Sequence, residues 1–201
     1  MPGWQALQEE LAADNFQVIA VAIDEDVEKV RGAADGITYP VLIDADHVVT
    51  ELYAISNVPT VVMIDEDDTI VHPNWSAFAS DTFREITGLD SARQLDRIRR
   101  WVRDDELHMS AEEVKSAVDD LTPDEERARL HFRIAANLRR AGDPDGAARN
   151  FDRAAELAPH DWTIRRAALP LQGKDPFGDN YFALAAEFNE AGRPYHGVTG
   201  H

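Results

Sequence analysis

Apolar positions along the first hundred residues switch between two spacings, and after that they keep only one. Trp4, Leu7 and Leu11 recur at helical intervals, so residues 2–13 are predicted as a helix. Pro2 suits its first turn, where a missing N–H costs nothing, and Asn15 ends it. Residues 16–23 form an unbroken apolar run rich in β-branched side chains, the pattern of a strand buried on both faces. Asp24, Glu25 and Asp26 close that strand and open a helix that reaches Ala34, with a turn at Gly36. A short strand over 39–43, the acidic turn Asp44-Ala45-Asp46 and a short helix over 48–53 follow. Residues 60–64 and 69–72 read as an antiparallel hairpin around the turn Asp65-Glu66-Asp67-Asp68. After a loop with Pro73, Asn74 and Trp75, Leu95, Ile98, Trp101 and Val102 mark an amphipathic helix over 92–103.

Beyond His108 only the helical spacing remains. Ser110/Glu113 and Thr122/Glu125 each match a capping box, in which hydroxyl and carboxylate satisfy free N–H groups at a helix start. Helices are predicted over 124–140, 145–157, 161–169 and 182–190, with Gly142 and Pro159 as stops. The change of character places a boundary near 104–112, giving domains 1–105 and 110–201. Ala147, Phe151, Ala154 and Pro159 fall at the spacing of the second helix of a tetratricopeptide repeat, and Ile134, Ala135 and Leu138 take the packing positions of the first. Only one repeat is legible, whereas such arrays need ~3 to bury a continuous core. A helical hairpin packed on its neighbour and a peptide-binding groove therefore both remain open. Trp162, Phe177, Tyr181, Phe182 and Tyr195 read as core and capping aromatics, and the loop 173–178 has no evident chemistry.

Charge narrows the functional classes. The 201 residues carry a formal net charge of −18, a surface that repels nucleic-acid phosphates and anionic lipid. Only Lys29, Lys115 and Lys174 are lysine; the other basic residues are arginine. Salt adaptation and compositional drift in a high-GC genome both fit that bias. No apolar run approaches the ~20 residues of a membrane span, and no leader pattern opens the chain. Scattered histidines without HxxxH or HExxH spacing argue against zinc. Asp65–Asp68, and Asp44, Asp46 and His47, read as solvated turns and not as cation sites. Neither metal nor cofactor is expected. No acid/base pair or phosphate loop stands out, which sets aside a small-molecule enzyme of another kind.

The chain contains no cysteine, which excludes disulfides and thiolate chemistry of its own. Three stretches give that absence its weight. Met1–Leu11, Phe16–Asp24 and Tyr53-Ala-Ile-Ser-Asn-Val-Pro-Thr-Val-Val-Met-Ile-Asp65 occur in an order that resembles the thioredoxin-like superfamily. More narrowly they resemble TlpA/ResA-type thiol-disulfide oxidoreductases, relatives of the AhpC/TSA peroxiredoxins, over about residues 1–103. The resemblance implies an α/β thioredoxin-like domain followed by an all-α helical-hairpin or tetratricopeptide-like domain. It implies antioxidant or thiol-disulfide redox chemistry on a protein thiol, disulfide or peptide partner. It also places substrate along Val58, Pro59 and Thr60, with the Val58–Pro59 bond cis. The family's redox pair precedes the helix that begins here at Pro2, after an inner strand of the sheet. Both are missing, so the chain is expected to be inert in that chemistry as given. Its strand edges at 16–23 and 60–64 should lack their shared neighbour. A truncated reading of a longer gene is the expectation, with cysteine or a selenocysteine codon upstream. On that expectation the address is cytoplasmic if the chain is complete, and exported or membrane-anchored if a segment is missing. The rival expectation is a redox-dead module that binds a protein or peptide.

Overall fold

The computed structural model describes residues 2–82, 84–118 and 120–193. In chain order the elements are α1 (Pro2–Glu10), β1 (Ala20–Ala22), α2 (Val27–Ala33), β2 (Val41–Ile43), α3 (Val48–Leu52), β3 (Val61–Ile64), β4 (Ile70–Trp75), α4 (Arg84–Thr87), α5 (Ser91–Asp104), α6 (Ala111–Val118), α7 (Pro123–Arg140), α8 (Pro144–Leu157), α9 (Trp162–Leu171) and α10 (Asp179–Glu190). They sort into two units, and the division is not linear. Residues 2–45 and 59–116 form one, residues 46–58 and 117–193 the other.

In the first unit α1 and α5 bury their apolar stripes on the β3–β4 hairpin. Leu7, Leu11, Met63, Val71, Trp75, Ala77 and Ile98 form the core, flanked by Trp4, Phe16, Leu95 and Trp101. Arg99 forks onto Glu10 at 2.8–3.0 Å, and Arg103 Nε donates to Asp14 at 3.0 Å, tying α5 to α1. Buried Gln94 accepts from the Phe78 N–H at 3.0 Å and donates to the Ser76 carbonyl at 2.9 Å, which seats the chain after β4. Gly3 lies so close to that chain that a β-carbon would stand 1.9 Å from the Ala79 carbonyl oxygen.

Among the described residues the strands form two separate two-stranded sheets. β1 and β2 are parallel, with Ala20 opposite Val41 and Ala22 opposite Ile43. β3 and β4 are antiparallel, with Val61 opposite Trp75 and Ile64 opposite Ile70. The register slips between Val61 and Met63, where β4 bulges through Pro73 and Asn74. A proline without N–H is tolerated in a strand at such a bulge, and Asn74 takes the left-handed φ of 46° that turns the strand. Trp75, predicted in a loop, is thus buried in β4. β1 is only three residues long where the apolar run predicts eight. Ile19, Val21, Leu42 and Ile43 stand exposed. The run had the composition of a two-sided strand, but among the described residues no strand pairs with β1 opposite β2.

The second unit is helical. α7 starts at the Thr122/Glu125 capping box and packs on α8 after a turn at Gly142. Ala128, Phe132, Ala135 and Ala136 meet Ala147, Phe151 and Ala154, with the Phe132 and Phe151 rings edge to face at 5.8 Å. Small residues let the two helices approach while the phenylalanines fill the space between. Ile134, assigned a packing position from its spacing, is exposed instead; Phe132 takes that face. Leu169, Leu184, Ala185 and Phe188 gather round Trp162 between α9 and α10. Phe177 and Phe182, read as core aromatics, are 66% and 64% exposed. Tyr195 lies outside the described residues.

Candidate functional site

Thr60 leads into β3, and its hydroxyl donates to Asn74 Oδ1 at 3.2 Å. The bulge in β4 therefore fixes the start of β3: the left-handed Asn74 carries its amide oxygen to the threonine that follows Pro59. Pro59 is exposed, while Val58 and Thr60 are half-buried. An exposed proline that opens a strand leaves the neighbouring backbone carbonyls open to an extended ligand. The three residues predicted as a substrate-binding stretch are contiguous in the chain. Asn74, which sequence reading placed in a loop, is the side chain that holds the last of them.

The segment that leads to this stretch is held from the helical unit. Glu51 in α3 is 1% exposed, and Arg133 of α7 forks onto its carboxylate, with Nη2 to Oε1 at 3.1 Å. Arg129 Nη1 donates to the Glu51 carbonyl at 2.9 Å, and its Nε to Asp161 Oδ2 at 2.9 Å. Trp162 Nε1 donates to the Ser56 carbonyl at 2.5 Å. Arg140 reaches Asp46 at 2.6 Å. Residues 46–58 are therefore anchored at both ends and in the middle by α7 and α9. These are structural contacts with no group poised to react.

Of the two acidic turns read as solvated, the one at Asp44, Asp46 and His47 is not: Asp44 and His47 are buried and Asp46 pairs with Arg140, whereas the turn at Asp65 is built by backbone geometry. Asp65 Oδ1 accepts from the N–H groups of Asp67 (3.0 Å) and Thr69 (2.9 Å), an arrangement that builds the β3–β4 turn. No group of three or more histidines and acids among the described residues is placed to hold a metal.

His72 is strongly perturbed. Opposite Met63 in β4, it is buried with its ring 5.0 Å from that of Trp75. Burial, seconded by the positive charges of His108 and Arg97, pulls its pKa down to about 4. Its Nδ1 is sealed from solvent with no hydrogen-bond partner among the described residues. The ring is a neutral core member and not an exposed base. With no cysteine in the sequence, no thiol stands at the start of α1. A thiolate there would have met free helix N–H groups, the setting that lowers a thiol's pKa.

Residues 1–87 match the Redoxin family model. Over those residues the match is to a Redoxin domain of the AhpC/TSA group and implies the thioredoxin-like fold. Neither a curated protein nor a solved structure matches the chain.

Proposed function

We propose that the Redoxin domain is the scaffold of a TlpA/ResA-type thiol-disulfide or peroxide oxidoreductase whose nucleophile and inner strand are supplied from outside residues 1–201. The divided sheet carries this reading. Among the described residues β1 pairs with β2 and β3 with β4, with no ladder joining the two sheets, as expected if one further strand belongs between β1 and β3. Neighbouring strands lie ~4.8 Å apart, so a missing strand opens a gap of about two spacings. A strand that enters α1 and returns through β1 makes a right-handed crossover when it lies parallel to β1. That connection delivers its last residues to the N-terminus of α1, where a thiolate or selenolate is stabilised. The attacking group forms a mixed disulfide with the substrate, and a second thiol resolves it, leaving substrate dithiol and enzyme disulfide. The substrate backbone lies along Val58, Pro59 and Thr60. Residues 1–201 alone hold no group able to begin that exchange.

A second reading is a redox-dead interaction module with a tetratricopeptide-like second unit. It is favoured by the absence of cysteine from the entire sequence and by the anchoring of residues 46–58 on α7 and α9. One comparison separates the two. Residues 1–201 and a form extended by the in-frame codons upstream of Met1 are assayed side by side for insulin-disulfide and peroxide reduction. Activity that appears only on extension supports the redox reading. An upstream sequence without a strand and a thiol or selenol residue, together with a stable monomeric 1–201 form, overturns it in favour of the interaction module.

A further inference from the structure

Arg166 is 7% exposed, and its Nε is sealed from solvent with no hydrogen-bond partner. Neither a hydrogen bond nor an ion pair from a described residue satisfies its guanidinium. The adjacent arginine shows the contrast: Arg165 forks onto Glu187 at 3.0 and 2.8 Å. Among the described residues, then, the half-buried member of the pair has a counter-ion and the buried one has none.

Aromatic faces take the place of an acid. The Arg166 guanidinium carbon lies 5.4 Å from the Phe177 ring centroid and 5.7 Å from that of Tyr181. Cation–π contact offsets only part of the hydration that a buried guanidinium gives up. Burial accordingly draws its pKa below the ordinary arginine value, against an opposing pull from Tyr181.

The loop 173–178 is built to present one of these rings. Asp175 Oδ1 accepts from the Phe177 N–H at 2.8 Å. The same carboxylate lies over Gly178, where a β-carbon would stand 1.9 Å from its Oδ2. Phe177 is thereby held facing outward at 66% exposed, beside the Arg166 that it covers. Phe182 is 64% exposed, and its ring meets Tyr181 edge to face at 5.5 Å. The result is a guanidinium with no counter-ion among the described residues, bordered by the exposed Phe177 ring and by Tyr181, against which the exposed Phe182 ring packs.

We propose that Arg166, Phe177, Tyr181 and Phe182 form a docking site for a protein or peptide partner that presents a carboxylate beside an apolar side chain. The fork of the guanidinium matches a carboxylate in two parallel hydrogen bonds. The apolar neighbour follows from the exposed rings, which a small hydrated anion would leave uncovered. Arginine and aromatic side chains together are the composition of an interface hot spot. The site uses no thiol chemistry, so its test stands or falls apart from the redox reading.

The probes are 3-phenylpropionate, acetate and inorganic phosphate, titrated into the full chain while the Nε–H resonance of Arg166 is followed by nitrogen-15 NMR. Saturable binding of 3-phenylpropionate at least about tenfold tighter than of acetate or phosphate is expected. Phe177→Ala changes an exposed side chain and should weaken that binding by about tenfold with the fold intact, and Arg166→Lys, which keeps the charge but loses the fork, by a similar factor. If Arg166→Lys unfolds the helices, Phe177→Ala alone decides. Phosphate or acetate binding as tightly as 3-phenylpropionate would make this a free-anion site and overturn the proposal. So would the absence of a saturable shift with any probe up to about 100 mM, which would leave Arg166 as a packing residue alone.

Discussion

Arg133 and Glu51 lie 82 residues apart in the chain and meet as a forked ion pair whose carboxylate is almost completely buried. Removing one partner from such a pair leaves an uncompensated charge, which costs about 3–5 kcal/mol. Glu51→Gln keeps the shape and loses the charge. It should destabilise the helical unit by about 3 kcal/mol, near the low end, because Arg133 is partly exposed and Arg129 keeps Asp161. Urea unfolding monitored at α7 checks this. A loss below about 0.5 kcal/mol would show that the pair contributes no more than a surface salt bridge.

Trp162→Phe tests the same anchor from its other end. Phenylalanine retains the edge-to-face packing on Tyr181 and Phe188, at 5.7 and 5.0 Å, but cannot donate to the Ser56 carbonyl. A cost of about 1–2 kcal/mol is expected, with faster amide exchange concentrated in residues 46–58. Uniform acceleration over α7–α10 would instead mean that the ring's packing, and not its N–H, holds the segment.

The reach of the sequence follows from the range of the interactions involved. Capping boxes act over three residues, and both Ser110/Glu113 and Thr122/Glu125 form as read, with Glu125 returning to the Thr122 N–H at 2.8 Å. The Redoxin domain was legible in Phe16–Asp24 and in the segment through Pro59, because strand composition and a proline-opened strand are local signals. What escaped depends on distant partners. No local pattern tells that Glu51 will find Arg133, so a short helix in the first half was not foreseen as part of the helical unit. Phe177 and Phe182 have the composition of core residues, and only the neighbours they lack set them on the surface. Asn74 became visible as the support for Thr60 only through the bulge that places it.

His72 predicts a pH dependence whose sign is fixed. Its pKa is lowered from 6.5 to about 4 in the folded protein, so between those values the unfolded chain binds a proton that the native core refuses. Stability should therefore be level above about pH 6.5 and fall as the pH drops toward 4. Neighbouring positive charge from His108 and Arg97 deepens the effect. Carboxylates held below their usual range, such as Glu10 beside Arg99 and Asp81 beside the Ser91 N–H, begin to add their losses below about pH 5, where the unfolded chain takes up protons that the native carboxylates refuse. His72→Phe should flatten the limb of thermal midpoints between about pH 5 and 6.5 while leaving the more acidic limb in place. An unchanged limb would assign it to other groups.

Gly3→Ala should cost about 1–3 kcal/mol, since the added carbon would sit 1.9 Å from the Ala79 carbonyl oxygen and backbone on one side must move. The displacement falls on the first turn of α1 and on the chain that Gln94 seats through Ser76 and Phe78. Thermal unfolding of the first unit's tryptophans, Trp4, Trp75 and Trp101, reads it. An unaltered midpoint would mean that the first turn of α1 shifts without resistance.

The divided sheet makes a prediction at single-amide resolution. In a parallel ladder, alternate residues of a strand bond to the same neighbour. The Ala20 N–H donates to the Pro40 carbonyl at 2.9 Å, and the Ala22 carbonyl accepts from the Asp44 N–H at 2.7 Å. The Val21 N–H therefore turns to the other edge, where no described strand lies. In residues 1–201 the Val21 amide should exchange at least about tenfold faster than that of Ala20. A strand seated between β1 and β3 would bond to it and remove the difference, so the N-terminally extended form should protect Val21 to the level of Ala20. Edge pairing between copies would also protect it, but in proportion to concentration. Val21→Lys, which places a charge on an exposed apolar edge, should abolish that protection while sparing the fold. Protection of Val21 in a dilute 1–201 monomer is the result that the divided sheet forbids, and it would remove the support that this sheet lends to a strand supplied from outside the chain.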